Sequence, residues 1–388
     1  MSSYIENLPH FVDNLRTMMD TIITNIILLG QTPAPTFEET ARVELFLERL
    51  AEFHTDECTT DSFLNPIGII RGKARDQLPI FVVAHMDSPF GKDIDHHYAI
   101  KPGAISGAGV LDNALGVGVL LSLPEIFNKL DLQFESDIVL AGVIQSMGKG
   151  NLRGIRHLLK TWPTPIRGAL CLESGELGRL NYYSDGMIRG EITCQVDPNQ
   201  TRAQRFLPNA ILVINEVINQ ITQIKLPLRP RTKIILGTIQ GGLKHGQIAH
   251  DARLGFEIRS DADEMVKLLF ENIKDIVTGI RYENEVDLTL ETISNLRAAR
   301  LRYTHPLVKS IVTIMEKLNL EPFSEPSESE LSIFLSRGIP AVTLGITYGE
   351  GYQQIDASMQ IEPMFTGIAQ VIAAIMAIDS GVCDTSES

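Results

Sequence analysis

FVVAHMDSPFGKDIDHHYAIKPGAISGAGVLDNALGVGVLLSL, residues 81–123, decides how the rest of the chain is read. The apolar run that opens it, Ile80 to Ala84, reads as a buried strand of a parallel sheet. His85 and Asp87 follow at the strand's end, with Met86 between them. Ligands of open α/β sheets gather at the carboxyl ends of strands, so these two side chains stand where a site is expected. A glycine-rich turn, Gly107 to Gly109, then leads to Asp112-Asn113 and an apolar helix from Ala114. A His and an Asp delivered in this way can share one metal ion, and the second oxygen of the Asp is free to bridge to another.

Outward from this stretch, strands and helices alternate. Asp137 to Ile144 (DIVLAGVI) reads as a second buried strand, and its end, Gln145 to Gly150, opens into a helix over NLRGIRHLL. Arg167 to Leu172 reads as a third strand, ending at Glu173. This order predicts an α/β fold with a largely parallel sheet. Upstream, residues 4–29 have helical periodicity. GQTPAPTFEE breaks it, and Thr36 with Glu39 has capping-box spacing for a helix over roughly Glu38 to Phe53. Ile67 to Ile70 reads as a short strand closing at Arg71-Gly72. Beyond Leu180 the texture changes: the remaining segments up to residue 294 run β-α-β-β-α-β, a ferredoxin-like unit. Helices over His305 to Leu318, Leu331 to Ser336 and residues 365–379, with a strand at Ala341 to Gly345, return to the first pattern.

A hydrophobic content of 44% over 388 residues suffices for a sizeable core in one large or two ordinary domains. The net charge of -14 argues against nucleic acid or an anionic membrane as partner. The longest early apolar run, Ile26 to Leu29, is far short of a membrane span, and the first residues lack the basic n-region of a signal peptide. Cys58, Cys171, Cys194 and Cys383 have no CxxC spacing and read as reduced thiols. The expectation is a cytoplasmic protein.

His85-x-Asp87 at a strand end, the glycine turn before Asp112-Asn113, and the strand-end Glu173 together resemble the two-zinc metallopeptidase family of aminoacylases, glutamate carboxypeptidases and succinyl-diaminopimelate desuccinylases. The resemblance spans nearly the whole chain. It implies a three-layer αβα catalytic domain over residues 1–184 and 295–388, interrupted by a ferredoxin-like α+β lid over 185–294 that also supplies a homodimer contact. It further implies that a first metal is held by His85, Asp112 and Glu173, with Asp87 orienting the imidazole of His85.

The second half of the site departs from the family. After the DIVLAGVI strand the family places two adjacent glutamates, one the general base and the other a ligand of the second metal. Positions 144 to 149 here read Ile, Gln, Ser, Met, Gly, Lys, with no carboxylate in any register. Gln145 has the shape of the base but cannot take a proton from water, and Ser146 is a poor zinc ligand. In GITYGEGYQQIDASMQIEPM, Gln353 stands where the family has its last ligand, a His, and Ala357 replaces a Glu. In the lid, Asn199 or Gln200 stands at the family's transition-state His, and Gly246 replaces a substrate-binding Asn. His245 and His250 read as surface histidines, while Arg259 matches the lid arginine that meets substrate. Asp93, Asp95, His96 and His97 read as a solvated loop. Glu325, Glu328 and Glu330 read as a solvent-facing acidic run, although Glu330 aligns with an Asp of the family.

Two functions stay open at this point, beside a third reading, a purely structural dimer with no ligand. One is a homologue whose hydrolase activity is lost or strongly impaired, keeping one zinc or other divalent metal, the dimer, and a peptide or acyl-amino-acid ligand. The other is an active single-metal hydrolase of peptides or N-acyl amino acids.

Overall fold

The computed structural model describes residues 6, 8–53, 55–74, 76–197 and 208–384. Asn199 and Gln200 lie outside the described residues. The chain divides into two compact units, Met1–Tyr183 with Arg300–Ser388, and Ser184–Ala299.

In the first unit seven strands form one sheet, in the order Glu57–Thr60, Pro66–Ile70, Ile138–Val143, Ile80–His85, Gly168–Glu173, Ala341–Gly345, Leu180–Asn181. The four strands from Ile138–Val143 to Ala341–Gly345 run parallel. The outer strands are antiparallel, a feature the β-α alternation did not reveal. Ile80–His85, Ile138–Val143 and Ala341–Gly345 are buried at every position, which is why they read as unbroken apolar runs. Because they are parallel, their carboxyl ends converge, and His85, Gln145 and Glu173 come to one edge.

The periodic segment at the start is two helices, Leu8–Thr17 and Met19–Gly30. Met18 separates them by donating its amide three residues back, to Leu15 at 3.0 Å, a tighter turn than an α-helix. Among the described residues, two helices are long and apolar enough to cross a membrane, Val110–Lys129 and Glu362–Asp379. They are 89% and 72% buried, so their apolarity is that of core helices. Met19–Gly30 and Leu115–Lys129 approach closely at Gly118, where an added Cβ would lie 2.5 Å from Ile26 Cγ1.

A small sheet carries the C-terminal loop to the Asp112 turn. Ser358–Gln360 pairs with Ala104–Ser106, and the Gly107 amide donates to the Ala357 carbonyl at 2.9 Å. Ala357, at 1% exposure, is packed into this junction.

The second unit is a four-stranded antiparallel sheet in the order Thr232–Gly241, Asp251–Ser260, Gly186–Gln195, Asp287–Leu296. Helices Ala210–Thr222 and Asp263–Asn284 join in a β-α-β-β-α-β order. Asp251–Ser260 alternates in burial, as expected of a sheet with one covered face. Ile192, Ile214, Phe256 and Ile273 centre a core of its own.

Candidate functional site

His85 ends its strand with 7% exposure. Its Nδ1 lies 3.1 Å from the Asp87 carbonyl oxygen and 3.4 Å from Asp87 Oδ1. Its Nε2 faces Asp112 Oδ1 at 3.4 Å. Asp87 is fully buried and gathers distant segments. Its Oδ2 accepts from the Thr36 hydroxyl and from the Met147 amide, each at 2.8 Å. Burial alone would raise the Asp87 carboxyl; the imidazole of His85, then the Met147 amide and the Thr36 hydroxyl, outweigh it and hold its pKa below the ordinary value. Burial likewise opposes a charge on His85. The carboxylates of Asp87, Asp112, Glu173 and Glu330 overcome that and raise the imidazole well above its usual pKa.

The capping-box reading of Thr36 and Glu39 is corrected here. The Thr40–Glu52 helix has no side-chain cap. Thr36 serves Asp87, and Glu39, 3% exposed, accepts the Gln145 amide at 2.8 Å. Local spacing cannot separate a cap from a tertiary anchor that has the same residue types. Arg42, on the same helix and 2% exposed, donates to the carbonyls of Thr32 and Met86. The turn that carries Asp87 is thereby tied to the Thr40–Glu52 helix.

Asp112 sits in a short irregular turn ahead of the Leu115–Lys129 helix. Its neighbour Asn113 is fully buried and donates to the Leu172 carbonyl at 2.9 Å, while accepting from the Ser174 hydroxyl at 2.6 Å. The Asp112 turn is thus pinned to the strand that ends at Glu173. Burial raises the Asp112 carboxyl, opposed by His85 and by a hydrogen bond from Gln353. Burial, with Glu330 and Asp112 adding repulsion, pushes Glu173 up to about 7 against the pull of His85.

Gln145 follows the strand end with a φ of 54°, and its amide is held by Glu39. Ser146 Oγ donates to Glu330 Oε1 at 2.6 Å. The acidic run is solvent-facing only in part: Glu325 and Glu328 are exposed, but Glu330 is 2% exposed. His96 is likewise buried, its Nε2 2.8 Å from the Gly91 carbonyl oxygen, so the acidic-His loop is not uniformly solvated. His245 and His250 are exposed. Arg259 lies in the second unit and pairs with Glu257, to which Nε donates at 2.9 Å; Arg189 contacts the same carboxylate.

The first-metal donors fit an ion in part. Two donors on one tetrahedral zinc, each about 2.0–2.1 Å from it, lie about 3.4 Å apart. That is the His85 Nε2 to Asp112 Oδ1 separation. Among the described residues, no group of three or more His, Cys, Asp or Glu side chains is placed so that it could hold a metal ion. Gln353, which lowers the Asp112 carboxyl, is a neutral amide where the resemblance puts an imidazole.

The sequence of residues 65–144, which carries His85, Asp87 and Asp112, matches the model of peptidase family M28. No curated protein matches the chain by sequence. Among solved structures, the dipeptidase Dug1p of Saccharomyces cerevisiae is similar at a TM-score of 0.76 and 10% identity, covering 98% of this chain and 100% of that one. A tripeptidase of Staphylococcus aureus is similar at 0.71 and 16% identity, over 93% and 99% of the two chains. A dinuclear metal-binding M20-family peptidase of Bacillus subtilis is similar at 0.66 and 14% identity, over 94% and 98%. Over 93% to 98% of its length the chain has the fold of these peptidases, and the stretch bearing His85, Asp87 and Asp112 matches a peptidase-family model in sequence.

Proposed function

We propose that this is a peptidase-fold protein whose two-metal hydrolysis is lost or strongly reduced and whose cleft holds at most one divalent cation, zinc foremost. The observation that carries this is the chemistry of the second half-site. Residues 144–149 contain no carboxylate, and Gln353 stands where the resemblance puts an imidazole ligand. Gln145 cannot accept a proton, and loss of a general base alone costs about 10²- to 10⁴-fold in rate. Of the first half-site, His85 and Asp112 face each other, with Asp87 beside the imidazole. A cation bound there would act as a Lewis acid toward a carbonyl oxygen.

The ligand class that suits such a cleft is a peptide or an N-acyl amino acid. Arg259 is the group proposed for binding a carboxylate, and residues 184–299 are the surface proposed for a homodimer. A cytoplasmic location is consistent with four free cysteines. A second reading, an active single-metal hydrolase, is favoured by the ion-like spacing of His85 and Asp112.

Metal content per chain, measured on protein purified without chelator or histidine tag, tests both. One zinc per chain in the wild type, absent from Asp112→Ala, is expected. Hydrolysis of a dipeptide and N-acyl-amino-acid panel is expected to be undetectable or very slow. Robust turnover abolished by His85→Ala would overturn the impaired reading in favour of the second.

A further inference from the structure

The amino ends of the parallel strands carry a cavity that neither reading of the His85 cleft uses. Its volume is about 710 Å³, within the roughly 300–1,000 Å³ of small-molecule sites. Leu78, Arg167 and Pro340, which line it, lie just before the strands Ile80–His85, Gly168–Glu173 and Ala341–Gly345. Backbone bonds lace these segments together: the Arg167 amide donates to the Pro79 carbonyl and the Ala169 amide to the Pro340 carbonyl, each at 2.9 Å. The 6 residues of Ile80–His85, at about 3.3 Å each, put this edge roughly 20 Å from the His85 imidazole.

The lining is positive in a chain whose net charge is -14. Arg167 is its fixed part. Its side chain is 9% exposed, and one Nη donates to the Ser136 hydroxyl and the Asp379 carbonyl, each at 2.9 Å. Its Nε and other Nη hold the two oxygens of Asp384, at 2.8 and 2.5 Å, so the charges of that pair cancel within the wall. The remaining charged groups of the lining are Arg300 and Arg302 against Asp76, with His305 beside them. The Arg302 side chain is exposed and makes no hydrogen bond or ion pair among the described residues. His305 Nδ1 accepts the Leu307 amide at 3.2 Å, which leaves the proton of the neutral ring on Nε2, a donor. Leu78, Ile166, Leu301 and Pro340 supply an apolar wall.

Arginines and an imidazole beside an apolar wall suit a dianion carried on an apolar body. A phosphate monoester has a charge of about -1.5 to -2 at pH 7 and takes paired hydrogen bonds from a guanidinium. We propose that this cavity is a second ligand site, remote from the His85 cleft, and that it takes a small phosphate monoester. Arg300 and Arg302 bind the phosphate, His305 donates to it, and the wall of Leu78 and Leu301 receives the apolar group of the ester. The site does not depend on a cation in the cleft.

The test is calorimetric titration of the full chain with phenyl phosphate, benzoate and inorganic phosphate, in phosphate-free buffer. Wild type, Arg302→Gln, Leu78→Glu and Asp112→Ala are compared. Arg302 and Leu78 are both exposed, so neither exchange disturbs the core, and circular dichroism checks the fold. Phenyl phosphate is expected to bind the wild type, and to bind Arg302→Gln about 10- to 100-fold more weakly, the size of a lost charge-assisted hydrogen bond. Leu78→Glu, which sets a like charge in the wall, is expected to weaken it as well. Benzoate, with a single charge, and inorganic phosphate, without the ring, are expected to bind more weakly than phenyl phosphate. Asp112→Ala is expected to bind phenyl phosphate as the wild type does, because the cleft lies at the other edge of the sheet. No binding of phenyl phosphate by the wild type, or wild-type affinity in either wall variant, would overturn the site. Benzoate held as tightly as phenyl phosphate would overturn the phosphate assignment. Loss of binding in Asp112→Ala would place the ester in the His85 cleft and overturn the proposal too.

Discussion

Asn113 ties the Asp112 turn to one strand end through a single amide, donating to Leu172 and accepting from Ser174. Its removal would take a donor from the buried Leu172 carbonyl and the acceptor from the Ser174 hydroxyl, which keeps only the Gly116 amide; an unsatisfied buried group costs about 1–3 kcal/mol. Asn113→Ala is therefore expected to lower the unfolding free energy by about 2–4 kcal/mol in urea denaturation, with wild-type secondary structure by circular dichroism. Glu257 makes a different case. Burial would raise its carboxyl, but Arg259 and then Arg189 hold it below the usual value. A depressed folded-state pKa contributes stability above the unfolded value, and that stability drains away as pH falls through the folded one. Glu257→Gln is expected to cost about 1–2 kcal/mol at pH 7. In melting-temperature scans against pH the gap to wild type should close on acidification below the ordinary glutamate range. A gap independent of pH would show that the pair contributes nothing through its charge. At this scale the sequence was legible in placing His85 and Glu173 at strand ends and Asp112 in a turn before a helix. It was not legible at Glu330, Thr36 or Glu39, because an acidic run and a capping box have no local sign of the distant atoms that claim them.

Among elements, the buried strands were the most readable, since parallel strands covered on both faces leave apolar runs that few other structures leave. Ile138–Val143 and Gly168–Glu173 fall within a residue or so of the runs that foretold them. The break at Met18 was hidden because no proline or glycine marks it, only a shorter hydrogen bond to Leu15. The antiparallel edges were hidden because strand direction is fixed by connections, which periodicity does not encode. The tightest helix contact also depends on one small residue. A Cβ at Gly118 would lie 2.8 Å from Ile26 Cα, which is backbone and cannot turn aside. Gly118→Val is expected to wedge Met19–Gly30 from Leu115–Lys129 and to cost at least the 1–3 kcal/mol typical of overpacking. Gly116→Ala is a less direct control, because the side chain that its Cβ would meet is Asn113.

The whole molecule has two cores. One lies around the seven-stranded sheet and includes Ile372; the other lies in Ser184–Ala299 and includes Ile214. Each isoleucine is fully buried, and truncating such a side chain to alanine typically costs about 2–5 kcal/mol. Separate cores predict separable cooperative units. Calorimetry is expected to resolve the melting endotherm into two components, with Ile214→Ala lowering one and Ile372→Ala the other. A single transition shifted equally by both variants would show that the units unfold as one. The change of sequence texture after Leu180 already marked where one core gives way to the other. What the cleft does was less legible, because the fold survives exchange of the residues that perform the chemistry.

Asp87 has a consequence that can be watched directly. One of its oxygens holds the Met147 amide at 2.8 Å, while the other faces His85. Any ion that engages the imidazole redistributes charge across that carboxylate, and the Met147 proton sits on its far side. The Met147 amide resonance is therefore a native reporter of the cleft, readable by NMR in the unaltered protein. Its shift on zinc addition, and the persistence or loss of that shift in Asp112→Ala, would register occupancy without any label placed in the site.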